Sequence, residues 1–149
     1  LLSVGYLAFA YTSIKTEILP SCASLGGYAF CGCSQLSSVS IPNVNSIDEC
    51  VFLNCSSLRT FYLPYNCSFV ASDAFRGCST LSSFYIQGGS YCSLGSTYAV
   101  YARDWASMAF KSTPIASGTG KIYVPSSQYS YYANSCPGWS YWRSRMFSY

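Results

Sequence analysis

Histidine is absent from this 149-residue sequence. With it goes the side chain that most often activates a serine or cysteine nucleophile, and the one whose ordinary pKa lies near neutrality. Charge is scarce too: 9% of residues are charged, eight basic against five acidic, and only Arg143 and Arg145 among the basic ones sit close together. A nucleic-acid partner would demand a denser basic footprint, so none is expected. No apolar run reaches the length of a bilayer span, which argues against membrane insertion. The mostly apolar residues 1–10 lack a basic flank and a cleavage-like sequence, and make a poor signal peptide. Paired Cys-x-x-Cys clusters, the usual mark of structural zinc, are also missing; the nearest approach is one Cys-x-Cys, Cys31 and Cys33, so no metal is expected. The acids Glu17, Asp48, Glu49, Asp73 and Asp104 read as separate residues, with Asp48 and Asp73 as solvated turn positions rather than a glycosidase pair. Neither Gly26-Gly27 nor Gly88-Gly89 opens a phosphate-cradling loop. No catalytic constellation and no cofactor site emerge, and the chain is expected not to be an enzyme.

What the sequence has is a phrase said three times: Ala29-Phe30-Cys31-Gly32-Cys33-Ser34-Gln35-Leu36, Val51-Phe52-Leu53-Asn54-Cys55-Ser56-Ser57-Leu58 and Ala74-Phe75-Arg76-Gly77-Cys78-Ser79-Thr80-Leu81. Leu36 to Leu58 is 22 residues and Leu58 to Leu81 is 23, and a second apolar column, Leu25, Ile47 and Val70, keeps step. Each Leu is followed by an apolar residue at +3 and +5: Val39 and Ile41, Phe61 and Leu63, Phe84 and Ile86, closed by Pro42 and Pro64 in the first two copies. Alternation with period two predicts a half-buried strand, and proline, lacking an N–H, ends it. One unit of this size cannot bury its apolar face, but stacked units form a continuous core with strands side by side in a parallel sheet. The Ala-Phe stretches lack a ten-residue amphipathic pattern and read as turns and one-turn helical pieces.

The pattern Ile-x-x-x-Ala-Phe-x-x-Cys-x-x-Leu-x-x-Val-x-Ile-Pro resembles the BspA-type leucine-rich repeat of bacterial and some protist surface proteins, and Leu25 to Pro42 fits it almost without exception. The resemblance implies a right-handed leucine-rich-repeat solenoid whose exposed sheet is the ligand-facing surface. Residues 1–149 then form one repeat domain: a degenerate N-terminal repeat over 1–21, regular repeats over 22–87, an insertion over 88–108, a last degenerate repeat over 109–125 and a C-terminal cap over 126–149. In the worn first copy Tyr11 is aligned with the cysteine position and Glu17 falls on a normally apolar one. In the cap, Ser126 and Ser127 are expected to accept from free helix N–H groups ahead of Tyr129, Tyr132 and Ala133 at helical spacing. Trp139, Trp142 and Met146 are expected on one face of a second short helical segment. No comparable cap precedes the first repeat. That predicts a chain forming the C-terminal part of something longer, or a partner, a second copy included, over its first face.

Cys33, Cys55 and Cys78 hold one position in three successive repeats and should stack at about the 4.8 Å strand spacing as small apolar fillers with free thiols. Parallel side-chain vectors make the disulfide torsion hard to reach. Cys22 and Cys67 share a column two repeats apart, too far to join, while Cys31, Cys50, Cys92 and Cys136 lie at scattered offsets. The outward column is Ser40, Tyr62, Tyr85 and Tyr123, with Ser38, Thr60, Ser83 and Lys121 beside it. Tyrosines among small hydroxyl residues suit a binding surface, and equally an aromatic ladder that only stabilises the sheet. Three functions follow: a surface module binding a host or bacterial protein or glycan, a phage or prophage tail-associated receptor-binding protein, or a unit assembling end to end. All place the chain outside the cell, at its surface or on a virion.

Overall fold

The protein is described by a computed structural model covering residues 2–89, 91–95, 108–136 and 138–149. Each coil contributes two short strands, and all strand pairing is parallel. One ladder holds β2 (Thr16–Ile18), β4 (Ser38–Ser40), β6 (Thr60–Leu63), β8 (Ser83–Ile86), β10 (Lys121–Val124) and β11 (Met146–Ser148), hydrogen-bonded as β2-β4 and β6-β8-β10-β11. The other holds β1 (Ser3–Val4), β3 (Ser24–Leu25), β5 (Ser46–Ile47), β7 (Phe69–Ala71) and β9 (Ser93–Gly95), paired as β1-β3 and β5-β7-β9. The repeat solenoid is therefore as the sequence implies, with Leu36, Leu58 and Leu81 all buried in one column. A second ladder is added to the expected one, and the marker column Leu25, Ile47, Val70 runs along its inner face. It continues into Leu94, because Val70 pairs with Leu94. Residues 93–95 of the expected insertion thus form an ordinary rung; most of the rest of that stretch, residues 96–107, lies outside the described residues.

The third side of each coil is made of turns whose N–H groups are shared between two jobs. Tyr28, Phe30 and Gly32 donate to Glu49, Val51 and Leu53 of the next coil at 3.1, 2.9 and 2.7 Å, whereas Ala29, Cys31 and Cys33 donate three residues back within their own turn. This alternation needs left-handed residues four apart: Tyr28 with Gly32, Cys50 with Asn54, Asp73 with Gly77. Left-handed backbone disfavours side chains with a Cβ, and it persists here because hydrogen bonds on both sides hold it.

Between turns and ladders lies the core. Phe9, Phe30, Phe52, Phe75 and Phe110 stack in a row with centroids 5.2, 5.6, 5.4 and 5.8 Å apart. Cys33, Cys55 and Cys78 run beside them, and they are more than apolar fillers: each thiol donates to the Phe carbonyl of the preceding coil, at 2.9, 3.1 and 3.1 Å. Thr12 and Thr113 end this column, each donating to its own Phe carbonyl at 2.7 Å. Thr12, not Tyr11, therefore takes the cysteine position in the first coil; Tyr11 aligns with Gly32, since both donate across to the next turn. Asp73 departs from its expected solvation. It is 9% exposed and paired with Arg76 at 3.3 Å, three residues on in the same turn.

All nine cysteines are buried and free. Burial pushes the Cys31 and Cys33 thiols above their ordinary value, and Cys136 up to about 12. Such a thiol holds its proton more tightly folded than unfolded, so stability is full below the ordinary value of 9.0 and falls as pH climbs past it. The urea midpoint is expected to hold steady from about pH 7 to 8 and to fall above about pH 9.5. A thiol reagent at neutral pH should find the native protein unreactive and the denatured protein reactive at all nine positions. Rapid native labelling would contradict the buried ladder.

At the C-terminal end, helix α1 (Pro114–Ser117) leads into β10, and helix α2 (Tyr129–Asn134) and a 3₁₀ helix (Trp139–Arg145) cover the core. The expected serine cap is not formed. Gln128 is the N-cap residue and makes no side-chain cap bond, while Ser126 donates its backbone N–H and its hydroxyl to the Tyr149 carbonyl. Met146 leaves the helical segment for β11, where it pairs with Ile122, so the last rung of the first ladder comes from the cap itself. Trp139 and Trp142 are buried, Trp142 edge-on to Phe110 at 5.4 Å.

Candidate binding face

Register fixes which side chains the first ladder turns outward. Ile18 pairs with Ser40, Tyr62 with Tyr85, Tyr85 with Tyr123, and Tyr123 with Phe147. Beside them run Thr16 with Ser38, and Thr60, Ser83 and Lys121 in line. All eight residues singled out by sequence, Ser38, Ser40, Thr60, Tyr62, Ser83, Tyr85, Lys121 and Tyr123, are thus brought onto one face, each exposed or half-buried.

The tyrosines form a ridge. Tyr62 stacks on Tyr85 at 4.9 Å and 17°, and Tyr85 on Tyr123 at 4.5 Å and 10°. The sequence reading missed three members. Phe147 extends the ridge, 6.5 Å from Tyr123, with the Lys121 ammonium 4.7 Å over its ring. Tyr149 meets Tyr85 edge-on at 6.1 Å and donates its hydroxyl to the Ile86 carbonyl at 3.0 Å. Ile18 begins the column at 73% exposed. The first two sit on or just beyond a strand that the spacing of Trp139, Trp142 and Met146 disguised as helix. Partial burial raises the Tyr85 phenol above its ordinary value, with the neighbouring phenols Tyr123, Tyr62 and Tyr149 adding to the shift.

Next to the ridge the surface drops. A depression of about 410 Å³ opens where Tyr62 faces the small rung of Ser38 and Ser40, bordered by Pro42, Pro64 and Gln87. Lys15 and Arg59 line a second hollow, of about 380 Å³, with Ser37, Ser57 and Thr80 at the entry to the strands. Asp48 and Glu49 lie elsewhere, beside Tyr6 and Tyr28 next to the second ladder. Charge is therefore kept off the serine-tyrosine surface except at Lys121. Among the described residues no three cysteine or acidic side chains gather as a metal site would require, and no helix is long and apolar enough to cross a membrane.

Comparison with known proteins places this geometry. A BspA type leucine rich repeat region, in six copies, matches residues 2–101. Two solved bacterial structures are similar in fold. One is a leucine rich cell surface protein from Faecalibacterium prausnitzii, with a TM-score of 0.64 at 23% identity over 87% of this chain. The other is a leucine rich repeat protein from T. pallidum, with a TM-score of 0.67 at 22% identity over 83% of this chain. The chain spans 32% and 52% of their respective lengths. No curated protein matches it in sequence.

Proposed function

The chain belongs to the BspA-type leucine-rich repeat family of binding repeats, and from that premise we propose that it is a non-enzymatic adhesion module of a bacterial cell surface. Its contact surface is the outer face of the first ladder, which docks a surface protein or glycan. The observation that carries this reading is the stacked row of Tyr62, Tyr85 and Tyr123, partly exposed and flanked by the hydroxyls of Ser38, Ser40, Thr60 and Ser83. Rigid rings with few rotatable bonds supply contact area at small entropic cost, and small hydroxyls adapt to the partner. Nothing in the fold requires rings at these positions, because the core beneath is closed by Phe61, Phe84 and Ile122.

Exchanging Tyr62 and Tyr85 together for Ser tests it. The exchange removes the contacts Tyr62–Tyr85, Tyr85–Tyr123 and Tyr85–Tyr149, each worth about 0.5–1.5 kcal/mol, so the protein should still fold, with its melting temperature lowered by about 3–15 °C. Affinity for ligands that the unaltered protein retains on arrays of glycans and surface proteins should fall about tenfold or more, as for buried aromatic anchors. Full retention of affinity by the folded variant would leave the ridge a structural ladder only.

A further inference from the structure

Stacking has a consequence for what the ridge can offer. Tyr62, Tyr85 and Tyr123 lie nearly parallel, 4.9 and 4.5 Å apart, so they spend their ring faces on one another and turn edges and hydroxyls to solvent. One face escapes. On the N-terminal side of Tyr62 the next rung carries Ser40 instead of a ring, and the rung beyond it carries the exposed Ile18. The missing ring is the depression bordered by Ser38, Ser40, Pro42, Tyr62, Pro64 and Gln87.

We propose that this notch is a subsite for one neutral pyranose ring of a glycan, which stacks its C–H face on Tyr62 and completes the row at the Ser40 rung. The inference rests on the reading of this face as the ligand surface and narrows it to a sugar. Three observations select the guest. Ser38 and Ser40 line the same depression as Tyr62, so a ring seated over Ser40 meets the open face of Tyr62 and extends the row in which the protein's own rings stack. The Ser38 and Ser40 hydroxyls and the Gln87 amide have no hydrogen-bond partner among the described residues, and all three border the notch. A phenyl side chain laid there would strip their water and return nothing, whereas the hydroxyls on the rim of a sugar replace it. No charged side chain borders the notch, which favours a neutral hexose over a sialylated or sulfated one.

The test titrates the full chain with methyl β-galactopyranoside, methyl β-glucopyranoside and methyl α-mannopyranoside, with p-cresol as the aromatic competitor, and follows the Tyr62 ring resonances. At least one glycoside should shift them along a saturable curve. Ser40→Tyr, which fills the notch with a ring of the protein's own, should weaken that binding at least tenfold. Gln87→Ala, an exposed change that leaves the core untouched, should weaken it several-fold, and Tyr141→Ser, an exposed ring on the cap away from the ladder, should leave it unchanged. Saturable binding of p-cresol without any glycoside would identify the guest as an aromatic side chain and overturn the proposal, as would glycoside binding indifferent to both Ser40→Tyr and Gln87→Ala. The broader reading is tested apart from this one on the arrays. Loss of retained ligands in the Tyr62→Ser, Tyr85→Ser variant but not in Ser40→Tyr would end the notch and keep the face.

Discussion

Phe52→Ala is expected to cost the domain about 3–5 kcal/mol, the range for removing a large ring from a packed core. Phe52 is fully buried and central, stacked on Phe30 at 5.6 Å and on Phe75 at 5.4 Å, with Phe61 tilted against it at 5.3 Å. In a solenoid each coil is held chiefly by its two neighbours, so a hole at this position weakens two interfaces at once and loosens the coupling between the halves of the stack. Phe9 ends the same row with one stacked neighbour and partial exposure, and Phe9→Ala should cost less than half as much. Urea unfolding followed in parallel by far-ultraviolet circular dichroism and tryptophan fluorescence measures both effects when Trp105, the third tryptophan of the sequence, is replaced by Phe throughout, since Trp139 and Trp142 then report on the C-terminal cap alone. The two signals should coincide in the unaltered protein and separate in Phe52→Ala. Equal losses at Phe9 and Phe52 would contradict a stack stabilised by nearest neighbours.

The same nearest-neighbour logic explains what could be read from the sequence. Leu36, Leu58 and Leu81, with the alternating pairs behind them, repeat a period-two pattern at a fixed interval, and both the first ladder and its tyrosine column follow from alignment alone. The second ladder escaped because its strands are two or three residues long with one inward side chain each, too short for any period to show. β11 escaped for a different reason. Trp139, Trp142 and Met146 fit helical spacing locally, and only the open edge of β10 converts Met146 to strand by a pairing that lies 24 residues away. Phe147 and Tyr149 were lost from the candidate site along with that strand. The left-handed turn positions were hidden too, because Tyr28, Cys50, Asn54 and Asp73 occupy them in place of the glycine that would have announced them. Gln87, the remaining partner in the notch, becomes a neighbour of Tyr62 only once the register sets β6 beside β8.

Gly138→Ala should detach the cap. Gly138 has φ +77°, and a Cβ placed on it would fall on the Leu94 carbonyl oxygen of β9, with the Leu94 Cβ 3.0 Å away. The obstacle is backbone, which no side-chain rotation can clear. It is also pinned from the cap side, because Cys92 donates its N–H to the Tyr132 hydroxyl at 3.0 Å and Cys136 donates its thiol to the Cys92 carbonyl at 2.9 Å. Left-handed strain of about 1–2 kcal/mol adds to about 1–3 kcal/mol for the forced backbone shift. Gly88 separates the two contributions. It is also left-handed, at φ +91°, but a Cβ there meets only Pro125 and Gln128 side-chain atoms at 3.6 and 3.7 Å, ordinary contact distances. Gly88→Ala should therefore lose the strain energy alone. In Gly138→Ala the tryptophan emission should shift to the red as Trp139 and Trp142 leave Phe84 and Phe110, and the uncovered end of the core should drive aggregation that rises with concentration. If the two alanine variants proved equally stable, the cap would not depend on the close passage of residue 138 over β9.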